Sequence, residues 1–419
     1  MAERAFDAVV VAASPHALTK VLGLTLAERG VRVATKLGAR RVRLLDGAAA
    51  AAELARWDEQ RGDADLLVLR AGDQIVHLPL ARPLLQGTGD RRIAIGPDGA
   101  YAGALWVDSA LAHEVIAAIA TSPAAGDTEI AARWAGDAQP IAHGEIARHP
   151  ATTPSERIAA RALLERLNVK TEEDSPVSKY IYRPLSKPLT RILLRTPLSP
   201  NQVSVFVGFL GLAGCLLTAY PSQAALIWGA ALVFASGVID GCDGEIARLK
   251  LQYSPIGAWL DTIVDELTSF AYFLAIGYHT YTHYSEGWLA SSIALGAACY
   301  AATVYGIYYF CVVVLKAGGS QYYVGKLDIV DGGSGLALTP RPKPAPSALG
   351  MWIMYVIRRD FVNLAALVLT VFNAYEVIYS GILAGTLVSA LIVVPEHIRL
   401  RGQLRELARR GAAPRLLPR

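Results

Sequence analysis

Two hydrophobic patterns divide this chain near residue 200. Before it, short apolar runs (FDAVVVA, RRVRLLD, ADLLVLRA) alternate with amphipathic stretches (PHALTKVLGLTLAERG, AAAAAELARWDEQRG). Runs of that length bounded by turn residues predict buried strands, and the stretches between them predict helices. Strand–helix alternation predicts an α/β domain over residues 1–145, with a parallel, Rossmann-like sheet and crossover helices. The opening run has no basic stretch before it and no long apolar core, so it reads as a strand and not a signal peptide. Residues 146–177 are polar and charged and read as a linker with a helical piece around ERIAARALLERL.

After residue 200 the apolar runs lengthen. Six of them, at about 200–219, 224–248, 256–280, 287–315, 350–372 and 377–396, approach the roughly 20 residues that cross a bilayer. The preceding Ser178–Gln202 is amphipathic and basic, with Tyr180, Tyr182 and Leu194 among Arg183, Lys187, Arg191 and Arg195. It is expected to lie in the membrane interface. The fold class expected is therefore an α/β domain followed by an all-α membrane domain of six transmembrane helices, residues 178–400, and a basic tail, 401–419. The loops YPSQ, HTYTHYSEG and NAYE carry no Lys or Arg, whereas the intervening segments and both ends carry many. That asymmetry predicts a multi-pass protein of the cell membrane with both termini cytoplasmic.

Composition agrees: 53% of residues are hydrophobic and 18% charged. A net charge of +4 argues against a nucleic-acid partner. Cys215, Cys242, Cys299 and Cys311 all fall in apolar stretches and read as small core residues.

The chemistry lies in one segment. Asp240, Asp243, Asp261 and Asp265 sit at helical spacing between strongly apolar flanks. A carboxylate inside a membrane helix costs about 2.5–3.5 kcal/mol on insertion scales. A solvated acidic helix face does not fit those flanks. Asp240, Asp243, Gly244, Ala247 and Arg248 share one stripe, and Gly257, Asp261 and Asp265 a second. Leu251–Ile256, with Ser254 and Pro255, supplies a turn that folds the stripes together. The result is an all-oxygen cage suited to Mg²⁺ or Mn²⁺, with room for two ions. Zinc is not expected, because no His or Cys has ligand spacing there. The small residues leave the face open to a ligand, and Arg248 can pair with phosphate.

This segment resembles the CDP-alcohol phosphotransferase family, whose signature D-x2-D-G-x2-A-R-x8-G-x3-D-x3-D it matches without a gap. The resemblance spans about residues 176–400. It implies metal-dependent transfer of a substituted phosphate group from a CDP-alcohol to a hydroxyl acceptor, with release of CMP, in a homodimer. It also implies metal ligation by the four aspartates, Asp265 as general base, and a CDP pocket at Asp240, Gly244, Ala247, Arg248 and Gly257. Asn201 matches a Pro-Asn position common in the family and is expected either at the nucleotide or as a helix cap. Arg358 and Arg359 interrupt the fifth apolar run and are expected either at the interface or in a pocket for the acceptor's or the donor's phosphate, with Lys187 and Arg191 the next candidates. His279 and His283 are expected away from the site.

The first domain resembles sugar nucleotidyltransferases, which implies Lys20 near a phosphate and Asp73 either at the metal position or as a plain turn residue. Its loop Ala12–Ala17 lacks the glycines that cradle a triphosphate, so it is expected to be inactive. If active, the chain would resemble bifunctional inositol-phosphate cytidylyltransferase/di-inositol-phosphate-phosphate synthases. A metal-ion transporter is the rival from another class. It has no need of Gly244, Ala247, Arg248 and Gly257 at these offsets. The donor (CDP-diacylglycerol, CDP-inositol or another CDP-polyol) and the acceptor (lipid, serine, glycerol phosphate or inositol phosphate) stay open.

Overall fold

The computed structural model describes residues 5–121, 133, 134, 136, 138–142, 148–167, 175–315, 323, 325, 327–331, 336–340, 355 and 358–411. The chain forms two units. Unit 1 is Met1–Lys170 with Arg191–Pro197 and Glu245–Gln252, and unit 2 is the remainder.

Unit 1 has strands β1 (Phe6–Val11), β2 (Lys20–Val21), β3 (Leu24–Thr25), β4 (Val42–Leu45), β5 (Asp65–Arg70), β6 (Gln74–Val76), β7 (Arg91–Ile95), β8 (Tyr101–Val107), β9 (Gln139–Ala142) and β10 (Arg148–Pro150). Its helices are α1 (Leu26–Lys36), α2 (Ala48–Glu59), α3 (Leu78–Gln86), α4 (Ser109–Thr121) and α5 (Pro154–Leu167). The main sheet runs β4-β1-β5-β8-β7-β9. Every residue of β1 is buried, as a strand covered on both faces requires. Phe6, Ala8 and Val10 pack with Val33 and Ala34 of α1 and Leu80 and Leu84 of α3. Val9 and Val11 pack on the other face with Leu54 of α2 and Val115 and Ile119 of α4.

The expected parallel sheet is found in β4, β1 and β5, but β8 runs antiparallel to both β5 and β7. The segment between β7 and β8 is too short for a crossover. It turns on Asp98-Gly99, with Gly99 at φ +74°, and forms a hairpin. The segment read as a linker supplies β10, which pairs with β6, and helix α5.

Unit 2 is helical apart from the hairpin β11 (Leu327–Asp331) and β12 (Leu336–Pro340). A π-helical turn (Ser178–Tyr182) leads into α6 (Arg183–Leu193), followed by α7 (Pro200–Ala219), α8 (Gln223–Leu249) and α9 (Pro255–Tyr284), the ends of α6 from Arg191 and of α8 from Glu245 being counted with unit 1. Then come α10 (Gly287–Tyr309), extended by a π-helical turn to Leu315, α11 (Arg359–Val371) and α12 (Tyr375–Arg409). Four helical segments among the described residues are long and apolar enough to cross a membrane: Pro200–Ala219, Gln223–Leu249, Gly287–Leu315 and Tyr375–Arg409. The other two expected spans differ in kind. Helix α9 has 30 residues but carries Asp261, Asp265 and Glu266, and α11 has 13. Residues 350–354, 356 and 357 of the fifth expected run lie outside the described residues.

Close helix packing rests on small residues. A Cβ on Gly214 would fall 2.8 Å from the Gly229 carbonyl oxygen, and one on Gly229 would fall 2.7 Å from that of Gly214. Helices α7 and α8 therefore meet backbone to backbone there. Phe273 of α9 stacks on Tyr379 of α12 at 6.0 Å in a core that also holds Tyr272, Ile276, Ala366 and Ile378.

Candidate active site

Two helix starts frame the site. Ser199 caps α7 through a reciprocal pair with Gln202: its Oγ accepts from the Gln202 amide at 3.3 Å, and its own amide donates to Gln202 Oε1 at 2.9 Å. The capping role is thus taken by Ser199, which releases Asn201 for other contacts. Ser254 caps α9, accepting from the Gly257 amide at 3.0 Å, and Pro255 follows in the first turn, where its missing N–H is harmless. These starts adjoin: Asn201 Oδ1 stands 3.0 Å from the point where a Gly257 side chain would begin. A side chain at 257 would press on the Asn201 amide and the Ser254 hydroxyl, so glycine lets the two starts approach without displacing them.

One turn further along α9 is Asp261, and a second turn brings Asp265. Together with Asp240 of α8 they offer carboxylate oxygens all within 4.8 Å of one another. The i,i+4 spacing on one helix and the turn between helices bring together three of the four carboxylates that the sequence groups. Asp243 stands outside this trio of ligand atoms. It is buried, and its Oδ2 accepts a hydrogen bond from Ser204 Oγ. Gly244, Ala247 and Arg248 follow on α8 toward its C-terminus.

Arg359, at the first position of α11, joins the cluster directly. Its Nη2 donates to Asp240 Oδ2 at 3.0 Å and its Nη1 pairs with Asp265 Oδ1. Arg358 turns elsewhere, 3.7 Å from Asp360. Asp360 in turn accepts from Ser175 Oγ.

The donor set fits a hard divalent cation. One guanidinium offsets one of three clustered carboxylates, and among the described residues Asp240 Oδ1 is buried with no hydrogen-bond partner. Such oxygens are stabilised by multivalent cations.

Three participants escape a sequence reading. Ser204 holds Asp243, and its only sequence signal is a hydroxyl one turn beyond Asn201 in an apolar helix. Glu266 accepts hydrogen bonds from Tyr300 at 2.6 Å and Tyr308 at 3.3 Å, and it had no periodic partner to mark it. The direct role of Arg359 depends on a contact across 119 residues of chain. His279 and His283 pack on Tyr375, and His279 Nδ1 lies 3.1 Å from the Tyr220 carbonyl, at the opposite end of α7 from Asn201.

In unit 1 the Ala12–Ala17 loop spends amides on itself: Ser14 donates to the Ala12 carbonyl, His16 to Ser14 Oγ and Ala17 to the Ser14 carbonyl. The Asp73 carboxylate is held by Arg70, with Nε 2.8 Å from Oδ1.

Residues 198–374 match the CDP-alcohol phosphatidyltransferase family. A "Bifunctional IPC transferase and DIPP synthase" of Thermococcus kodakarensis is 33% identical over 128 residues, 30% of this chain and 28% of that protein. An "Archaetidylinositol phosphate synthase" of Methanothermobacter thermautotrophicus is 34% identical over 91 residues, 22% of this chain and 46% of that protein. The chain aligns with less than a third of the length of the bifunctional relatives. A crystal structure of Mycobacterium tuberculosis phosphatidylinositol phosphate synthase with CDP-DAG bound aligns at 18% identity and a TM-score of 0.31, covering 51% of this chain and 90% of that one.

Proposed function

With residues 198–374 taken as a CDP-alcohol phosphatidyltransferase domain, we propose that the chain is a membrane transferase. It moves a substituted phosphate from a CDP-alcohol to a hydroxyl acceptor and releases CMP. The observation that carries this reading is the Asp240–Asp261–Asp265 cluster, built from two helices in the matched domain.

Asp240, Asp243, Asp261 and Asp265 are the residues that would hold Mg²⁺ or Mn²⁺, one ion or two. When bound, the metal offsets charge on the donor pyrophosphate and on departing CMP. Asp265 accepts the acceptor's proton as its oxygen bonds to the donor's β-phosphorus and the anhydride bond to CMP breaks. Asp240, Gly244, Gly257 and Asn201 line the CDP pocket, with Ala247 and Arg248 next along α8. Arg359 faces the transferred phosphate and orients it with a two-pronged donor. The acceptor's phosphate is assigned to the same Arg359, with Arg358 as its exposed neighbour.

A cavity of about 510 Å³ lies in unit 2 beside Arg359, lined among others by Tyr272, Ile307, Phe361, Leu369 and Ile382. An apolar chamber at the reacting end favours one lipid-bearing substrate, and so a CDP-linked lipid donor with a polyol-phosphate acceptor. The relatives named bifunctional IPC transferase and DIPP synthase favour a second reading, with CDP-inositol as donor. We further infer six membrane crossings, adding α9 and α11 to the four apolar helices. Both termini are cytoplasmic and the active form is a homodimer. Exposed Leu185 and Ile192 on α6 suit a helix in the membrane interface.

CMP release from CDP-diacylglycerol and CDP-inositol, each with inositol phosphate or glycerol phosphate, tests the proposal. Metal-dependent CMP release with either donor is expected, and the lipid donor should be faster. No CMP with any pair would overturn the transferase reading.

A further inference from the structure

We propose that unit 1 carries a second anion site, a basic cavity that binds the phosphate groups of an organic phosphate ester. The cavity has a volume of about 650 Å³, within the range of small-molecule sites. All its lining residues belong to unit 1. Six are cationic: Lys20, Arg32, Arg161, Arg191, Arg195 and Lys250. One, Glu28, is anionic.

Carboxylates offset part of this charge. Arg32 pairs with Glu28 at 2.6 Å and Arg191 with Glu165 at 2.6 Å. The lining still holds a large positive excess. The deepest cation is Lys250, 6% exposed, whose Nζ donates to the Thr196 carbonyl at 3.2 Å. The Lys250 carbonyl accepts from Arg32 Nη1 at 2.7 Å. Burial first, and Arg32 second, lower the Lys250 pKa, the direction expected where like charges are crowded. Four arginines around one cavity suit the tetrahedral oxygens of phosphate, which a guanidinium meets with two parallel N–H donors.

The backbone is also bent around this cavity. Leu22 (φ +50°) and Gly23 (φ +82°) form the tight turn between β2 and β3, and Leu251 (φ +53°) lies between the lining residues Lys250 and Gln252. Both bends follow from local structure: a two-residue hairpin turn takes positive φ at its central residues, and Leu251 closes the C-terminus of α8, its amide donating to the Arg248 carbonyl while that of Gln252 donates to Ala247. A Cβ on Gly23 would fall 2.6 Å from the Leu194 carbonyl oxygen, so the floor closes on backbone. Leu22, Leu24, Leu194 and Pro197 give the wall apolar surface. A bare inorganic anion would leave that surface uncovered, whereas a phosphorylated organic molecule covers both. The transfer site as proposed uses none of these residues, and Arg191, the fallback candidate for the acceptor's phosphate, pairs with Glu165 instead.

The ligand's phosphate can belong to a soluble ester or to a lipid headgroup. The full chain in phosphatidylcholine nanodiscs, with EDTA present, should bind radiolabelled pyrophosphate. The Arg161→Gln/Arg195→Gln pair should weaken that binding at least about 100-fold, as expected for loss of two charge-assisted hydrogen bonds. The Arg161→Lys/Arg195→Lys pair should retain most of it, and Asp261→Asn should leave it unchanged. Adding phosphatidic acid to the discs identifies the source. Displacement of pyrophosphate, with more phosphatidic acid retained by the wild type than by the Gln pair in native mass spectrometry, assigns a lipid. Undiminished pyrophosphate binding assigns a soluble ester. Pyrophosphate binding that survives the Gln pair overturns the proposal, as does its loss in the Lys pair. Absence of binding, with equal phosphatidic acid retained by wild type and Gln pair, overturns it too.

Discussion

At the scale of single residues, the site is a problem of charge. Asp240, Asp261 and Asp265 converge in surroundings that disfavour anions, and Arg359 answers for part of their charge. Asp261→Asn keeps the shape but removes an anionic ligand, so transfer should fall by at least about 100-fold, and EDTA should stop the wild type. Undiminished turnover in excess EDTA would sink the metal assignment. Arg359→Ala should raise the acceptor KM roughly 10–150-fold, from loss of a charge-assisted hydrogen bond of about 1.5–3 kcal/mol. Lys should rescue it in part. Arg358→Ala, at a side chain 46% exposed and turned to Asp360, should change the KM less than about threefold. Equal effects of the two would show that Arg359 holds the acceptor's phosphate no more than Arg358 does. The aspartates were legible in the sequence because i,i+4 spacing and a short turn are local facts. Arg359 was visible as a charge in an apolar run, but its partners were not, since the contact is made across 119 residues. Asp243 shows the converse: the spacing grouped it with Asp240, yet a hydroxyl on another helix holds it.

At the scale of elements, glycines decide how closely helices approach. Gly229→Val should drive a side chain into the Gly214 carbonyl and Thr218, where a Cβ would already lie 2.4 Å from Thr218 Oγ1. Overpacking of this kind costs about 1–3 kcal/mol, so the detergent-solubilised chain should unfold several degrees lower. Gly381→Val, where a Cβ meets nothing within 4 Å, is the matched control. Equal melting temperatures for the two variants would show that α7 and α8 do not pack through Gly229. The helices themselves were legible from their apolar runs. The sheet was half legible: buried runs reveal strands but not direction, and the direction of β8 is set by the short turn at Asp98-Gly99, which strand–helix alternation does not register.

For the whole molecule, the two units answer to different solvents. Unit 1 buries His77 at 8% exposure, and burial, aided by Arg29 and Arg82, lowers its pKa from 6.5 to about 4. The unfolded chain therefore takes up this proton first. The contribution to stability is present above about pH 6.5 and is lost progressively as pH falls toward 4, amounting to roughly 3 kcal/mol. Urea unfolding followed by tryptophan fluorescence at pH 7.5 and 5 should show about 2 kcal/mol of this loss, and His77→Gln should reduce it. An identical pH response in the variant would show that His77 is not the cause. With its loop amides turned inward and Asp73 held by Arg70, unit 1 should release no pyrophosphate from CTP and a polyol phosphate. Release above background would favour the bifunctional reading. Unit 2 has a different dependency, set by the order of synthesis. Its clustered acids leave the ribosome well before Arg359, so while the nascent chain is being inserted they lack the cation that the finished protein provides. A chain ending after Pro340 should therefore insert poorly or be degraded. The late helices would then act as an internal checkpoint, with the acidic helices retained only in chains whose synthesis has been completed.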